Sequence, residues 1–166
     1  MTKYFKSLLV ALAVITISCS DDEPSKTSEM IVDGAAVKIE NAYFTKSTDR
    51  STNKTYYTIY FASEGISLEN YPNYDAIVGS GKFFSLMLET SDANNLPAGE
   101  YATTEYASLY ELVNDDWDFI TDDLTLDGVI KVSKSGSNYT FEFAFTGVND
   151  CSVYYTGPLT TARLAS

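Results

Sequence analysis

The chain of 166 residues contains no histidine, and this absence excludes several common kinds of active site. Ser-His-Asp and Cys-His catalytic arrangements need an imidazole base, and histidine-bearing zinc sites need it as a ligand. Cysteine is scarce as well, with Cys19 and Cys151 alone. If Cys19 is modified, Cys151 has no partner for a disulfide, so stability must come from packing. We expect Cys151 to be a small core residue on a strand, not a nucleophile.

Basic side chains are also few, since 11 Lys and Arg stand against 23 Asp and Glu. Removal of residues 1–18 would take Lys3 and Lys6 with it and leave nine basic and 23 acidic side chains, a net charge of −14. Such a surface repels phosphate groups, so we predict no binding to nucleic acid. The simplest interpretation of the acidic residues is a solvated surface that keeps the domain in solution.

The N-terminal apolar run, residues 8–17, is too short to cross a bilayer. Ten residues span about 15 Å as a helix, which is about half of the hydrocarbon thickness. Lys3 and Lys6 precede the run, and the small residue Ser18 follows it, as a signal peptidase requires. This order is typical of a secretion signal, and we predict a lipoprotein signal peptide over residues 1–18.

Cys19 directly follows the predicted signal. In Thr16-Ile17-Ser18-Cys19 the thiol stands at the first mature position, where a thioether to diacylglycerol can form. The alternative is an ordinary secretory cleavage that leaves Cys19 as a free thiol. The run Cys-Ser-Asp-Asp-Glu resembles the export signal of Bacteroides-type surface lipoproteins. That resemblance implies a lipid anchor at Cys19 in the outer membrane, facing the outside of the cell, with an export signal formed by Ser20, Asp21, Asp22 and Glu23.

Residues 20–31 are polar and show no apolar period, which is typical of a disordered spacer. We therefore predict a lipidated tether over residues 19–31 and one β domain over residues 32–166. Twelve residues reach about 40 Å when fully extended and about 20 Å as a flexible coil. The domain should stand just off the membrane.

The packing pattern of the domain is β throughout. Tyr139, Phe141, Phe143 and Phe145 alternate with smaller or polar residues, which predicts a strand buried on one face. With its neighbours it should form an antiparallel meander over residues 128–160, while residues 82–88, apolar on both faces, should form a central strand. No segment keeps a helical apolar stripe. We predict an all-β fold of about eight antiparallel strands in a small meander barrel, or alternatively a two-sheet β-sandwich.

Four segments of the C-terminal half together invite a family comparison. Residues 96–101, 128–132, 139–143 and 155–159 resemble small lipoproteins of the same bacterial group that look like calycin or lipocalin-type barrels. The resemblance implies a fold and says little about activity. The Gly-x-Trp of lipocalins has no counterpart near the first strand, because the one tryptophan is Trp117 and Asp115 stands two places before it.

Acidic residues cluster between positions 115 and 127, and we considered calcium as their ligand. Asp116, Asp118 and Asp122 could converge on a hard cation if the loop folds back. The spacing of an EF-hand is missing, so we favour a solvated acidic loop and predict no metal and no cofactor. Paired carboxylates could also hydrolyse glycosides. No pair stands out among 23 acidic residues, and we predict that the protein is not an enzyme.

Aromatic residues in polar surroundings are the remaining functional signal. Trp117, with Tyr71 and Tyr74 in residues 70–74, could offer flat faces to sugar rings, or could fold back as lids over the end of a barrel. We therefore expect a non-enzymatic binding module for a small ligand, glycan or peptide. The alternative is a structural or protein-interaction subunit of an outer-membrane complex without a small-molecule site. A hydrolase that uses carboxylates is a third and weaker hypothesis.

The lipid anchor can be tested by removing its attachment point. The Cys19→Ala variant should be recovered in the aqueous fraction, because acyl chains contribute about 0.8 kcal/mol per buried methylene and no other strong attachment is predicted. Mass spectrometry of the wild-type N-terminus checks the premise. A mature terminus at any residue other than Cys19, or an unmodified Cys19, would contradict the anchor.

Overall fold

The computed structural model describes residues 26–104, 106–121 and 124–164. Cys19 and the acidic run from Ser20 to Glu23 lie outside the described residues. The described residues form thirteen β-strands and no helix. In chain order the strands are β1 (Glu29–Val32), β2 (Ala35–Asp49), β3 (Lys54–Ser63), β4 (Ile66–Asn70), β5 (Asp75–Gly79), β6 (Gly81–Thr90), β7 (Gly99–Tyr101), β8 (Tyr106–Val113), β9 (Asp116–Thr121), β10 (Leu124–Ser135), β11 (Asn138–Gly147), β12 (Cys151–Pro158) and β13 (Thr160–Thr161).

Eleven of these strands form one sheet, in the order β7-β10-β11-β12-β1-β2-β3-β6-β8-β9, with β13 beside β2. Neighbouring strands are antiparallel except for β13 and β2. The long strand β2 pairs with β1 through residues 35–38 and with β3 through residues 39–49. A register shift between Ile39 and Asn41 separates the two parts. The sheet thus has two layers, which we name the first layer (β7, β10, β11, β12, β1) and the second layer (β2, β3, β6, β8, β9).

The main core lies between the two layers and is built around five phenylalanines among aliphatic side chains. Phe61 on β3 packs against Phe141 and Phe143 on β11, with ring centroids 5.2 and 5.7 Å away. Phe84 on β6 packs against Phe143 and Phe145 at 5.4 and 5.5 Å. All five rings are buried. The alternation that predicted the inner face of β11 is therefore confirmed, and so is the meander β10-β11-β12.

The prediction of an all-β, antiparallel fold is confirmed. The number of strands and the openness of the sheet differ from the small barrel of about eight strands that we predicted first. In the described residues β7 and β9 end the sheet and no pairing joins them, so the barrel is not closed and the two-layer alternative fits better. Strand β7, of three residues, pairs with β10 at residues 130–132 and ends the sheet on that side. The additional strands are mostly short ones of two to five residues, in which too few side chains alternate to give a signal.

The domain begins earlier than the sequence predicted. Residues 29–31, assigned to the tether, belong to β1, where Met30 is fully buried. Strands β1 and β2 join through Asp33 and Gly34, which both have positive φ, as a two-residue type I′ turn requires. The Asp-Gly pair is a strong hairpin signal that the search for long alternating segments missed. The predicted tether is thereby shortened to residues before β1.

The second layer also has a core on its outer side. The hairpin β4–β5 forms a separate two-stranded sheet. It packs with the C-terminal segment over the outer face of the second layer, where the buried residues are Tyr43, Ala62, Ile66, Ile77, Phe83, Leu112 and Ala162. Strand β6 is therefore apolar on both faces, and lies between β3 and β8 as a central strand. The prediction for residues 82–88 is confirmed.

Replacing Phe143 by alanine should cost about 3 to 5 kcal/mol of unfolding free energy, because its side chain is 5% exposed and the cavity would lie between the layers. Chemical denaturation measures the loss. Val148→Ala, at an exposed position after β11, is the control and should change stability by less than about 0.5 kcal/mol. A loss below about 1 kcal/mol for Phe143→Ala would contradict the interlayer core.

Candidate functional site

Trp117 lies in a strand and not in the loop that the sequence suggested. It is in β9, opposite Leu112 of β8, and 49% of its surface is exposed. Its ring contacts Phe83 and Tyr110 edge to face, with centroids at 5.0 and 5.7 Å. Trp117 is therefore half buried and half exposed. This state is intermediate between the two alternatives that the sequence allowed, an exposed platform for a ligand and a buried lid over the core.

Hydrogen bonds attach the turn before Trp117 to Gly79 and Ser80, where β5 ends. Asn114 and Asp115 both have positive φ and join β8 to β9 as a two-residue hairpin loop. The N–H of Gly79 donates to the Asp115 carboxylate at 2.6 Å, and the Asp115 N–H donates to the Gly79 carbonyl at 3.1 Å. A third bond runs from the Asn114 N–H to Ser80 Oγ at 3.0 Å. These bonds hold the β8–β9 hairpin in place, so Trp117 is presented by a fixed scaffold.

Trp117 belongs to a larger group of rings, which we name the aromatic face (Tyr106, Tyr110, Trp117 and Phe119). Tyr106 is 37% exposed and Phe119 46%. Phe119 meets Tyr110 edge to face with centroids 5.3 Å apart. Tyr110 in turn stacks on buried Phe83 at 4.7 Å. Successive outward positions on one strand are about 7 Å apart, so Trp117 and Phe119 offer two neighbouring rings on one edge strand.

Two tyrosine hydroxyls of the aromatic face are hydrogen-bonded to each other, those of Tyr106 and Tyr110. Burial, and then the hydrogen bond with Tyr106, raises the pKa of Tyr110 to about 12. Because the pKa of Tyr110 is raised, its hydroxyl stays protonated at neutral pH. The aromatic face thus combines flat rings with an uncharged polar group that can donate and accept hydrogen bonds.

The sequence reasoning missed Tyr106, Tyr110 and Phe119 as candidates. Their signal is an alternation across one hairpin: residues 106, 110 and 112 on β8 and residues 117 and 119 on β9 share a sheet face. The opposite face of β8 carries Ala107 and Leu109, which belong to the main core. An alternation of apolar residues shows which side chains share a face of a strand. It does not show whether another segment of the chain covers that face or leaves it exposed.

Tyr71 and Tyr74 form a separate pair at the turn of the β4–β5 hairpin. Their rings stack with centroids 4.8 Å apart, and both are exposed. The Tyr71 N–H donates to the Tyr74 carbonyl at 2.8 Å, which closes the turn. Among the described rings, no ring contact joins this pair to Trp117.

The acidic residues between positions 115 and 127 lie mainly on strands in the part of the chain that is described, and not in one loop. Asp116 and Asp118 lie on β9, while Asp122 is outside the described residues. Residues 26–104, 106–121 and 124–164 contain no group of three or more Cys, Asp or Glu side chains placed to hold a metal ion. Asp75 is buried, but its carboxylate accepts the Arg163 N–H at 2.6 Å and contacts the Arg163 guanidinium at 3.5 Å. Asp75 thus fastens the C-terminal segment.

Comparisons with protein-family models, with curated proteins and with solved structures found no match to this chain. Within residues 26–104, 106–121 and 124–164, no helix is long and apolar enough to cross a membrane.

Cys151 should be inert towards thiol reagents in the folded protein. It is buried on β12, and burial, followed by the charge of Asp33, raises the pKa of its thiol to about 12. At pH 8 the thiol stays protonated, and the thiolate is the reactive form. In a Cys19→Ala variant, where Cys151 is the one thiol, an aromatic disulfide reagent should react slowly before and rapidly after denaturation. Equal rates would contradict the buried position.

Proposed function

We propose that this protein is a non-enzymatic binding module that holds a neutral glycan at the cell surface through the aromatic face. The observation that carries the proposal is the half-exposed state of Trp117 and Phe119 on a fixed edge hairpin. Rings that are half buried keep their orientation, while the open half can pack on the C–H groups of a sugar ring. The lipid anchor at Cys19 and the outward orientation in the outer membrane are part of the proposal and rest on the sequence.

Polar groups near the rings support a sugar as the ligand. The paired hydroxyls of Tyr106 and Tyr110 can exchange hydrogen bonds with sugar hydroxyls, which a purely aliphatic patch could not do. The acidic surface disfavours polyanions such as sulfated or uronic chains. A neutral glycan is therefore the class that suits both the rings and the charge.

A second candidate is an accessory subunit that binds another protein of an outer-membrane complex. Two observations favour it: the space between the layers is packed with buried aliphatic and aromatic side chains, and Trp117 and Phe119 of the aromatic face lie on β9, which ends the sheet within the described residues. An end strand has free backbone groups that a partner strand can pair with. We rank it second because Asp116 and Asp118 lie on the same strand, and charges on an edge strand oppose pairing.

The tryptophan itself reports on the proposed site, because Trp117 is the only tryptophan in the chain. Titration with a panel of neutral polysaccharides should change its fluorescence for at least one member. Trp117→Ala should weaken that binding by at least about tenfold, or about 1.4 kcal/mol. Affinity electrophoresis can measure this without the fluorophore. Phe119→Ala should weaken the same binding.

Val113→Ala is the matched control, since this exposed residue lies in the same hairpin but alternates to the other side of the sheet. It should leave binding unchanged. Trp117→Ala should lower stability by only about 1 kcal/mol, as expected for a half-exposed ring with two edge contacts. Unchanged binding in Trp117→Ala, or no response to any polysaccharide, would contradict the glycan proposal.

A further inference from the structure

An open cleft lies beside the aromatic face, on the outer side of the second layer. It has a volume of about 500 Å³ and is lined by Ser47 of β2, Tyr56 of β3, Met87 of β6 and Tyr106 of β8. We name it the tyrosine cleft. Its volume is within the range of about 300 to 1,000 Å³ that is usual for ligand sites. Because Tyr106 also belongs to the aromatic face, the two surfaces are continuous.

The register of the strands explains why the lining residues meet. Ser47 pairs with Tyr56 between β2 and β3, and Met87 pairs with Tyr106 between β6 and β8. Thr58, two residues after Tyr56, pairs with Met87. Directly paired residues point to the same side of a sheet, so all of them share the outer side of the second layer. Tyr56 and Met87 are half-buried, which fixes their orientation and leaves part of each side chain open.

Four rings with exposed surface thus follow one diagonal across the outer side of the second layer, from Trp117 and Phe119 through Tyr106 to Tyr56. Trp117 is level with Leu112, six residues along β8 from Tyr106, and Tyr56 is two residues beyond the level of Tyr106 and two strands further across. At about 3.4 Å per residue and about 4.8 Å between strands, the two ends of the diagonal are about 30 Å apart.

The described outward positions beside the diagonal are uncharged, although the whole chain has a net charge of −12. On β3, β6 and β8 they are Thr58, Tyr60, Phe83, Ser85, Met87, Ser108 and Leu112. Asp116 and Asp118 alternate with the two rings of β9, so their side chains point to the opposite side of the sheet. Charges return only beyond Tyr56, where Lys54 and Glu89 form an ion pair at 2.8 Å. An uncharged strip on an acidic domain suits a long neutral ligand.

We propose that the aromatic face and the tyrosine cleft form one extended site, which binds a linear neutral glycan along about six of its sugar units. This inference rests on the proposed function and specifies the form of the ligand. The distance of about 30 Å equals about six sugar units at about 5 Å each. Trp117 and Phe119 pack on sugar rings at one end, and Tyr56 packs on a ring at the other. Between them, the hydroxyls of Tyr106 and Tyr110 exchange hydrogen bonds with sugar hydroxyls.

The length of the site can be measured with linear oligosaccharides of two to eight units, prepared from neutral glucans, xylans and mannans. Contacts at both ends of one chain act together, because binding at the first end raises the effective concentration at the second. For the responding sugar, calorimetry should therefore show an affinity at least about tenfold higher for six units than for two, with little gain beyond six.

Two variants separate the ends of the site. Tyr56→Ala should weaken the six-unit chain by about 2- to 12-fold, the range for one aromatic contact, and leave the two-unit chain unchanged. Trp117→Ala should weaken both lengths. Tyr56→Phe keeps the ring and should retain most of the six-unit affinity, which distinguishes loss of a sugar contact from damage to the fold. Melting temperatures of the variants provide an independent check of folding.

Tyr154→Ala is the matched control, because Tyr154 is also a half-buried tyrosine but lies on β12, on the outer side of the first layer. It should leave the affinity for every length unchanged. Equal affinities for two and six units, or an unchanged six-unit affinity in Tyr56→Ala, would overturn the extended site and leave the glycan proposal in place. Absence of binding for every length and for the parent polysaccharides would contradict the glycan proposal, and the extended site with it.

Discussion

The packing of Phe61 and Phe84 against the aromatic row of β11 is the interaction on which the rest of the structure depends. These two residues come from the second layer, and Phe141, Phe143 and Phe145 come from the first. Because the continuous strand β2 pairs with β1 of the first layer and with β3 of the second, the sheet must fold over along β2 for these rings to meet. Burying five phenylalanines contributes on the order of 10 kcal/mol or more, which is comparable to the net stability of a domain.

The same folding leaves an outer face that the chain covers only in part. The β4–β5 hairpin and the C-terminal segment cover Phe83 and Leu112, and Asp75 fastens the C-terminal segment to the hairpin. The rings of Trp117 and Phe119 lie beyond this cover. An apolar surface that is partly covered and partly open is typical of a binding site, because the covered part fixes the rings that the open part presents.

Alternation explains which predictions succeeded. The inner face of β11 and the two-sided burial of β6 followed from the spacing of apolar residues, since side-chain direction in a strand has a fixed period of two. The hairpin turns at residues 33–34 and 114–115 were also present as local signals, although they were not used. The predicted start of the domain at residue 32 and the predicted position of Trp117 in a loop were wrong for this reason. Tyr106 and Phe119 could not be identified as exposed, because the pattern does not show which outer faces another segment covers.

The sequence by itself determined the all-β class, the faces of the principal strands and the chemical exclusions that follow from the lack of histidine, because these depend on residue type and local spacing. The predicted export signal is likewise a local pattern. Only the tertiary structure decided that the sheet, in the described residues, folds into two layers without closing, and that Trp117 and Phe119 both pack against Tyr110. Those features depend on contacts between residues far apart in the chain, and a one-dimensional pattern does not contain the distances between them.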